Sequence, residues 1–151
     1  MKSIAIGADD AAFEFRNSIV EYLTKQGIEL VDYSSDKQSE NSLYPDVANA
    51  VACAIKAGKH ERGILICGTG IGVAIAANKV PGIRAAQCHD VYSAERARKS
   101  NNAQIMTMGA RVIGVELAKK LVQAWLESEF EGGGSTAKVE RICYYDKLYS
   151  K

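Results

Sequence analysis

Residues 63–79 read GILICGTGIGVAIAANK: a continuous apolar run, a cysteine, glycines at three alternate positions, then small residues at helical spacing. An apolar run without polar alternation marks a strand buried on both faces, as happens where helices cover both sides of a parallel sheet. A strand that turns through glycine into a helix is the repeating unit of an α/β fold.

Working outward, the same unit recurs. SIAIG (3–7) precedes a helical stretch at 11–27 in which Phe15, Ile19, Tyr22 and Leu23 share a face and Gly27 is the stop. IELVDY (28–33) is a second strand, polar SSDKQSENS (34–42) a loop, and Pro45 opens a helix over 46–58 ending at Gly58. Beyond the central strand (63–67) and helix (71–79) come a strand at 83–88, a helix at 91–100 and a strand at 103–109. An amphipathic helix at 115–130 follows, with Leu117, Leu121 and Trp125 four apart. EGGGST (131–136) breaks it before a last helix from Ala137 to about Tyr149. Right-handed crossovers turn this order into a doubly wound, five-stranded parallel sheet with helices on both faces and a C-terminal helix. With 151 residues and 47% hydrophobic content, the chain is expected to form one domain over 1–151.

Ligands of such sheets bind beyond the carboxyl ends of the strands. Those ends carry Asp9 and Asp10, then Cys67 with its glycines, His89 and Asp90, and Gly109-Ala110-Arg111. The net charge is +1, from 19 basic and 18 acidic residues spread along the chain, so no basic stripe favours nucleic acid or an acidic membrane surface. The N-terminus lacks the apolar length of a signal or a membrane span, and the chain is expected to be cytoplasmic. Cys53, Cys67, Cys88 and Cys143 form no C-x-x-C pair, which argues against a disulfide framework and against a zinc site. Cys53, Cys88 and Cys143 read as buried small hydrophobes. His60, in the charged connector AGKHERG, reads as a solvated surface residue.

A strand running into glycines presents backbone N–H groups to an anion. A dinucleotide site is not indicated, because counting G-x-G-x-x-G from Gly68 and Gly70 puts Val73 at the third position, and a Gly-Lys-[Ser/Thr] ending for ATP is absent. Glycines that only permit a tight turn, with Cys67 as a buried hydrophobe, are the structural alternative. Cys67 differs from the other cysteines in opening the amide-rich loop, a setting that suits nucleophilic attack on a carbonyl or proton transfer beside one. Of the two histidines, His89, at a strand's carboxyl end, is the better acid–base partner.

The segments SIAIGADDAAFEFR, YPDVANAVACAI, GILICGTGIGVAIAANKVPGIRAAQC, YSAERARKSNNAQIMTMGARVIGVELAKKLVQAWL and EGGGSTAKVERI resemble, in order, the ribose-5-phosphate isomerase B and galactose-6-phosphate isomerase family. The resemblance implies a Rossmann-like fold and a cofactor-free, metal-free aldose–ketose isomerase, with a small sugar or sugar phosphate as its partner. It also implies a homodimer or dimer of dimers with active sites shared between subunits, the C-terminal helix (about 137–149) packing on a partner. Cys67 would move the proton between C1 and C2, and the backbone of Gly68, Gly70, Ile71 and Gly72 would hold the enediolate. Thr69 would line the pocket, Asp9 and Asn101 would bind hydroxyls, and Arg111 would reach the phosphate. By family majority the substrate would be ribose 5-phosphate, converted to ribulose 5-phosphate.

Three departures fall on functional positions. The family's Asp-His after the first strand is Asp9-Asp10 here, and its ring-opening His-Asn is Ser100-Asn101. Its Gly-Gly-Arg-His-x-x-Arg tail is Gly132 to Lys138, so Gly134 and Ser135 replace two cations and Lys138 an arginine. Losing charge-assisted bonds of about 1.5–3 kcal/mol each disfavours the usual substrate. The alternatives are an isomerase of another sugar, unphosphorylated or already open-chain, and a non-catalytic sugar-binding paralogue or partner subunit. A metal site on Asp9, Asp10 and His89 has suitable ligand types without a recognised ligand spacing.

Overall fold

The computed structural model describes residues 2–34 and 43–150. Among these, five strands form one parallel sheet: β1 (Ile4–Ala8), β2 (Leu30–Asp32), β3 (Gly63–Cys67), β4 (Ala85–Gln87) and β5 (Ile105–Gly109), in the order β2-β1-β3-β5-β4. The helices are α1 (Phe13–Thr24), α2 (Tyr44–Lys56), α3 (Ile71–Ala77), α4 (Val91–Lys99), α5 (Val115–Leu126) and α6 (Gly134–Tyr149). This is the doubly wound, Rossmann-like sheet with a C-terminal helix that the sequence pattern predicts.

Side-chain alternation along the strands divides the core in two. Ile4, Ile6, Ile64, Ile66, Met106 and Met108 face α1, α4 and α5, where Ile19, Leu23, Leu121 and Trp125 are buried. Ala5, Leu65, Cys67 and Ile105 face α2 and α3, against Val47, Val51, Val73 and Ala77. The three central strands are buried at every residue, whereas the edge strands β2 and β4 are only partly covered. Each fully buried large aliphatic side chain contributes about 1.5–3 kcal/mol, so β1, β3 and β5 are the stable frame on which the loops sit.

Several local expectations change. A 3-10 turn at Asp10–Ala12 precedes α1, so the α-helix begins at Phe13 rather than Ala11. α6 begins at Gly134 rather than Ala137, because Gly133, at φ 58°, already makes the sharp turn and the first helical turn needs no intrahelical N–H bond. Leu117, in the first turn of α5, is exposed while Leu121 and Trp125 are buried. The loop predicted at 34–42 lies, after Ser34, outside the described residues. No described helix is long and apolar enough to cross a membrane.

His60 is buried, not solvated: its Nδ1 donates to the Ser3 carbonyl at 2.9 Å, which leaves Nε2 to accept from the Tyr33 hydroxyl at 2.7 Å. Cys53 is exposed rather than buried, on the outer side of α2 with its thiol on Asn49, and Cys143 is half-buried beside Arg84. Cys88 is buried as expected, and burial, helped by the Asp90 charge, pushes its thiol up to about 12.

Arg62, just before β3, is buried and ties the end of α5 to the sheet. Its guanidinium donates to the carbonyls of Trp125 (2.8 Å), Leu126 (2.9 Å) and Ser128 (2.8 Å) and to the Glu129 carboxylate (2.6 Å). Glu129 is exposed, so its charge adds little. The three helix-end carbonyls decide the energetics. Arg62→Met is expected to cost about 3 kcal/mol or more by stranding them, read as a lower urea midpoint at an unchanged m-value.

Candidate active site

The strand order reverses direction between β1 and β3, and the carboxyl ends of these strands bring Asp9 and Cys67 to the same edge. In register, Ala8 stands beside Ile66, and Cys67 beside Gly109 of β5. Asp9, Asp10, Cys67, Gly68, Thr69, Gly70, Ile71, Gly72, His89 and Arg111 therefore all belong to this carboxyl edge.

From Cys67 the chain crosses over the end of β5 before entering α3. The crossing brings backbone onto backbone: a Cβ on Gly70 would stand 2.7 Å from the Met108 carbonyl carbon, and one on Gly109 would stand 2.6 Å from that of Thr69. Gly70 also holds φ at 77°, a conformation that side chains resist. A Cβ on Gly72 would fall on the Tyr44 ring, which covers the start of α3.

Four hydrogen bonds fix the crossing. The Gly70 N–H donates to Cys67 Sγ at 3.1 Å, and the Ile71 N–H donates to Thr69 Oγ1 at 3.2 Å. On the other side of the loop, Gln87 Nε2 donates to the Thr69 carbonyl at 2.8 Å and Thr107 Oγ1 to the Gly70 carbonyl at 2.7 Å. Cys67 is almost fully buried and Thr69 is exposed, so the sulfur sits at the floor of the loop and the hydroxyl at its rim. With its oxygen already accepting, the Thr69 hydroxyl keeps its proton to donate outward.

Arg111 follows β5 and leans along Gly68, its Cδ and Nη1 3.5 Å from where a Cβ there would stand, and its own N–H donates to the Gly68 carbonyl at 3.0 Å. His89 accepts the Gly109 N–H at Nε2 (2.9 Å), so the lone pair of that nitrogen is used within the fold and the ring proton lies on Nδ1. Asp9 Oδ1 is buried without a hydrogen-bond partner. Burial, reinforced by the Asp10 charge, pushes the Asp9 carboxyl above its ordinary value, against the opposing pull of the Ala11 amide and Arg111. Among the described residues no three His, Cys, Asp or Glu side chains gather into a metal-holding group, Asp9, Asp10 and His89 included.

The other predicted residues lie elsewhere. Ser100, Asn101 and Asn102 close α4 just before β5 begins, at the amino edge of the sheet. α6 lies along the same edge: Asp146 accepts the Gly82 N–H at 2.5 Å, Arg84 contacts Cys143, and Glu131 meets Lys99 and Arg96 just ahead of Gly134. Gly134 and Lys138 are exposed there. A five-residue strand such as β3 spans about 16 Å, so one protomer does not bring Ser100, Asn101, Gly134 and Lys138 to its own Cys67. Ser100 Oγ accepts from Arg96 Nε at 2.8 Å.

Gln87, Thr107 and Tyr44 complete the loop's surroundings and escape a reading of the sequence. The one cue is Thr107, a hydroxyl inside the otherwise apolar run IMTMG.

The model of the Ribose/Galactose Isomerase family matches residues 4–142. The chain is 65% identical over 146 residues to D-erythrulose-4-phosphate isomerase of Pectobacterium atrosepticum, covering 97% of this chain and 96% of that one. It is 56% identical to ribose-5-P isomerase B of Listeria innocua, covering 91% and 92%. The solved ribose-5-phosphate isomerase B of Clostridium thermocellum superposes with a TM-score of 0.93 at 45% identity, covering 99% of this chain and all of the other.

A carboxyl raised by folding contributes stability below its ordinary value of 3.8 and loses it as pH rises through the folded value. Asp9→Asn is therefore expected to raise the melting temperature at pH 7 and to give a smaller gain near pH 3, as thermal melts across that range will read.

Proposed function

The chain belongs to the ribose/galactose isomerase family of sugar-phosphate isomerases, and we propose that it interconverts the ketose and aldose forms of a four-carbon sugar 4-phosphate, D-erythrulose 4-phosphate being the ketose. The observation that carries this reading is Ser100. It stands where the resemblance expects the ring-opening histidine, has no acid–base group that titrates near neutrality, and already accepts from Arg96. A pentose 5-phosphate closes a five-membered ring through its 4-hydroxyl. In a tetrose 4-phosphate that oxygen carries the phosphate, closure through the 3-hydroxyl would give a strained four-membered ring, and the carbonyl stays open. An enzyme for that substrate needs no ring-opening acid.

Cys67 Sγ takes a proton from C1 of the ketose and returns it to C2, while the proton of the 1-hydroxyl passes to O2, giving the aldose with no net change in atoms or electrons. The enediolate oxygens lie against the Thr69 hydroxyl and the 68–72 loop, whose Gly70 and Ile71 amides hold Cys67 Sγ and Thr69 Oγ1 in place before the charge develops. Asp9 receives a substrate hydroxyl on its unpartnered oxygen, and Arg111 faces the phosphate. The chain works in the cytoplasm as one domain without a cofactor.

The active form is a homodimer, or a dimer of dimers, in which Asn101 and Lys138 of one protomer reach the loop of the other. Two apolar surfaces support this. Leu43, Ile71, Ile75 and Val112 are exposed around the loop, and Ile142, Tyr144, Tyr145, Leu148 and Tyr149 are exposed along α6. Self-complementary burial of such patches is what a two-fold dimer requires.

The second reading, ribose 5-phosphate to ribulose 5-phosphate, is favoured by the Listeria relative and requires a ring-opening donor other than Ser100. Turnover assays with erythrulose 4-phosphate and ribose 5-phosphate separate the two; kcat/KM at least about a hundredfold higher for the four-carbon substrate is expected. Cys67→Ala is expected to abolish turnover of both, and full activity in that variant would remove the proton-shuttle reading. Mixing inactive Cys67→Ala and Asn101→Ala protomers is expected to restore about a quarter of wild-type activity, since half the dimers would then hold one intact shared site. Mixtures as inactive as the parents would count against sharing.

A further inference from the structure

The hydrogen bonds around the crossing pair off across two successive peptide planes. A trans peptide is rigid and sends its C=O and N–H in opposite directions. In the plane between Thr69 and Gly70, the carbonyl is held by Gln87 from β4 and the N–H points at Cys67 Sγ. In the next plane, between Gly70 and Ile71, the carbonyl is held by Thr107 from β5 and the N–H points at Thr69 Oγ1. Fixing the oxygen of a plane fixes the direction of its amide.

We propose that Gln87 and Thr107 are positioning residues for Cys67 and Thr69, orienting the two amides by gripping the opposite ends of their peptide planes. The proposal rests on the reading of Cys67 as the proton-transferring base. Glycine at position 70 has no side chain to resist rotation of the flanking planes, and its left-handed φ is one of several conformations open to it. The bare backbone that permits the crossing therefore leaves the planes free to flip, and two side chains from neighbouring strands supply the restraint. Thr107 is fully buried, so its hydroxyl is the donor at hand for a Gly70 carbonyl turned away from solvent. Gln87 reaches in from an exposed position on the sheet edge, and the strand itself does not depend on its amide.

The variants are Gln87→Met, close in shape but without the donor, Thr107→Val, and Thr107→Ser, which keeps the hydroxyl. In the full-length protein, Gln87→Met and Thr107→Val are each expected to lower kcat about tenfold with KM nearly unchanged, while Thr107→Ser stays near wild type. Amide hydrogen exchange at Gly70 is expected to quicken in Gln87→Met, and at Ile71 in Thr107→Val. That readout does not depend on substrate. Wild-type kcat and exchange rates in Gln87→Met would overturn the proposal, as would an equal loss in Thr107→Ser and Thr107→Val. If Thr107→Val does not fold, Gln87→Met decides alone. Cys67→Ala assayed beside them separates the two levels: a dead Cys67→Ala with an unaffected Gln87→Met refutes the positioning role only, and an active Cys67→Ala refutes the base.

Discussion

The site depends on one close approach, the crossing of the 68–70 segment over the end of β5. Two polypeptide backbones pass there with no side chain between them, which requires Gly70 above and Gly109 below. Were either residue larger, the loop would have to lift off the sheet. The Gly70 amide would leave the sulfur, and α3 would enter at another angle. Shape comes first in this site and the hydrogen bonds hold it. A segment of three residues owes its geometry to β5 beneath it and to β4 beyond.

The parallel sheet also keeps Cys67 apart from Ser100 and Asn101 within one chain. Strands β1, β3 and β5 are parallel, so whatever follows them collects at one edge and whatever precedes them at the other. Cys67 follows a strand. Ser100 and Asn101 precede one, and α6 packs beside them. No adjustment of side chains joins two edges about 16 Å apart. In the proposed dimer a second copy, docked through the exposed apolar residues of α6 and the loop margin, is what would join them.

The sheet was legible in the sequence because its central strands are unbroken apolar runs, and such runs have few alternatives once helical stretches alternate with them. Cys67 and its glycines were legible for the same local reason. The clamp was not. Thr107 reads as an ordinary β-former, and the carbonyl it serves lies 37 residues away. His60 misleads likewise: its neighbours in sequence are charged, but the groups that bury it, Ser3 and Tyr33, are 57 and 27 residues off. Glycine propensity likewise argues against a helix at 134, although an end position needs no intrahelical donor. In each case the deciding contact is remote in sequence.

Ser100, on which the proposed four-carbon substrate rests, lies at the amino edge, away from Cys67. It caps the end of α4, on a turn where the carbonyls of Arg96 and Arg98 are already satisfied by the following amides. The backbone of the turn therefore does not need the side chain at 100, whose one hydrogen bond is to Arg96 at 2.8 Å. At the carboxyl edge Gly70 is bound to Thr107 at 2.7 Å and to Cys67 at 3.1 Å, and Gly109 lies where a side chain would run into the Thr69 backbone. In the proposed reading, proton transfer belongs to the rigid part of the molecule, and the choice of sugar to turns and helix ends outside the buried core.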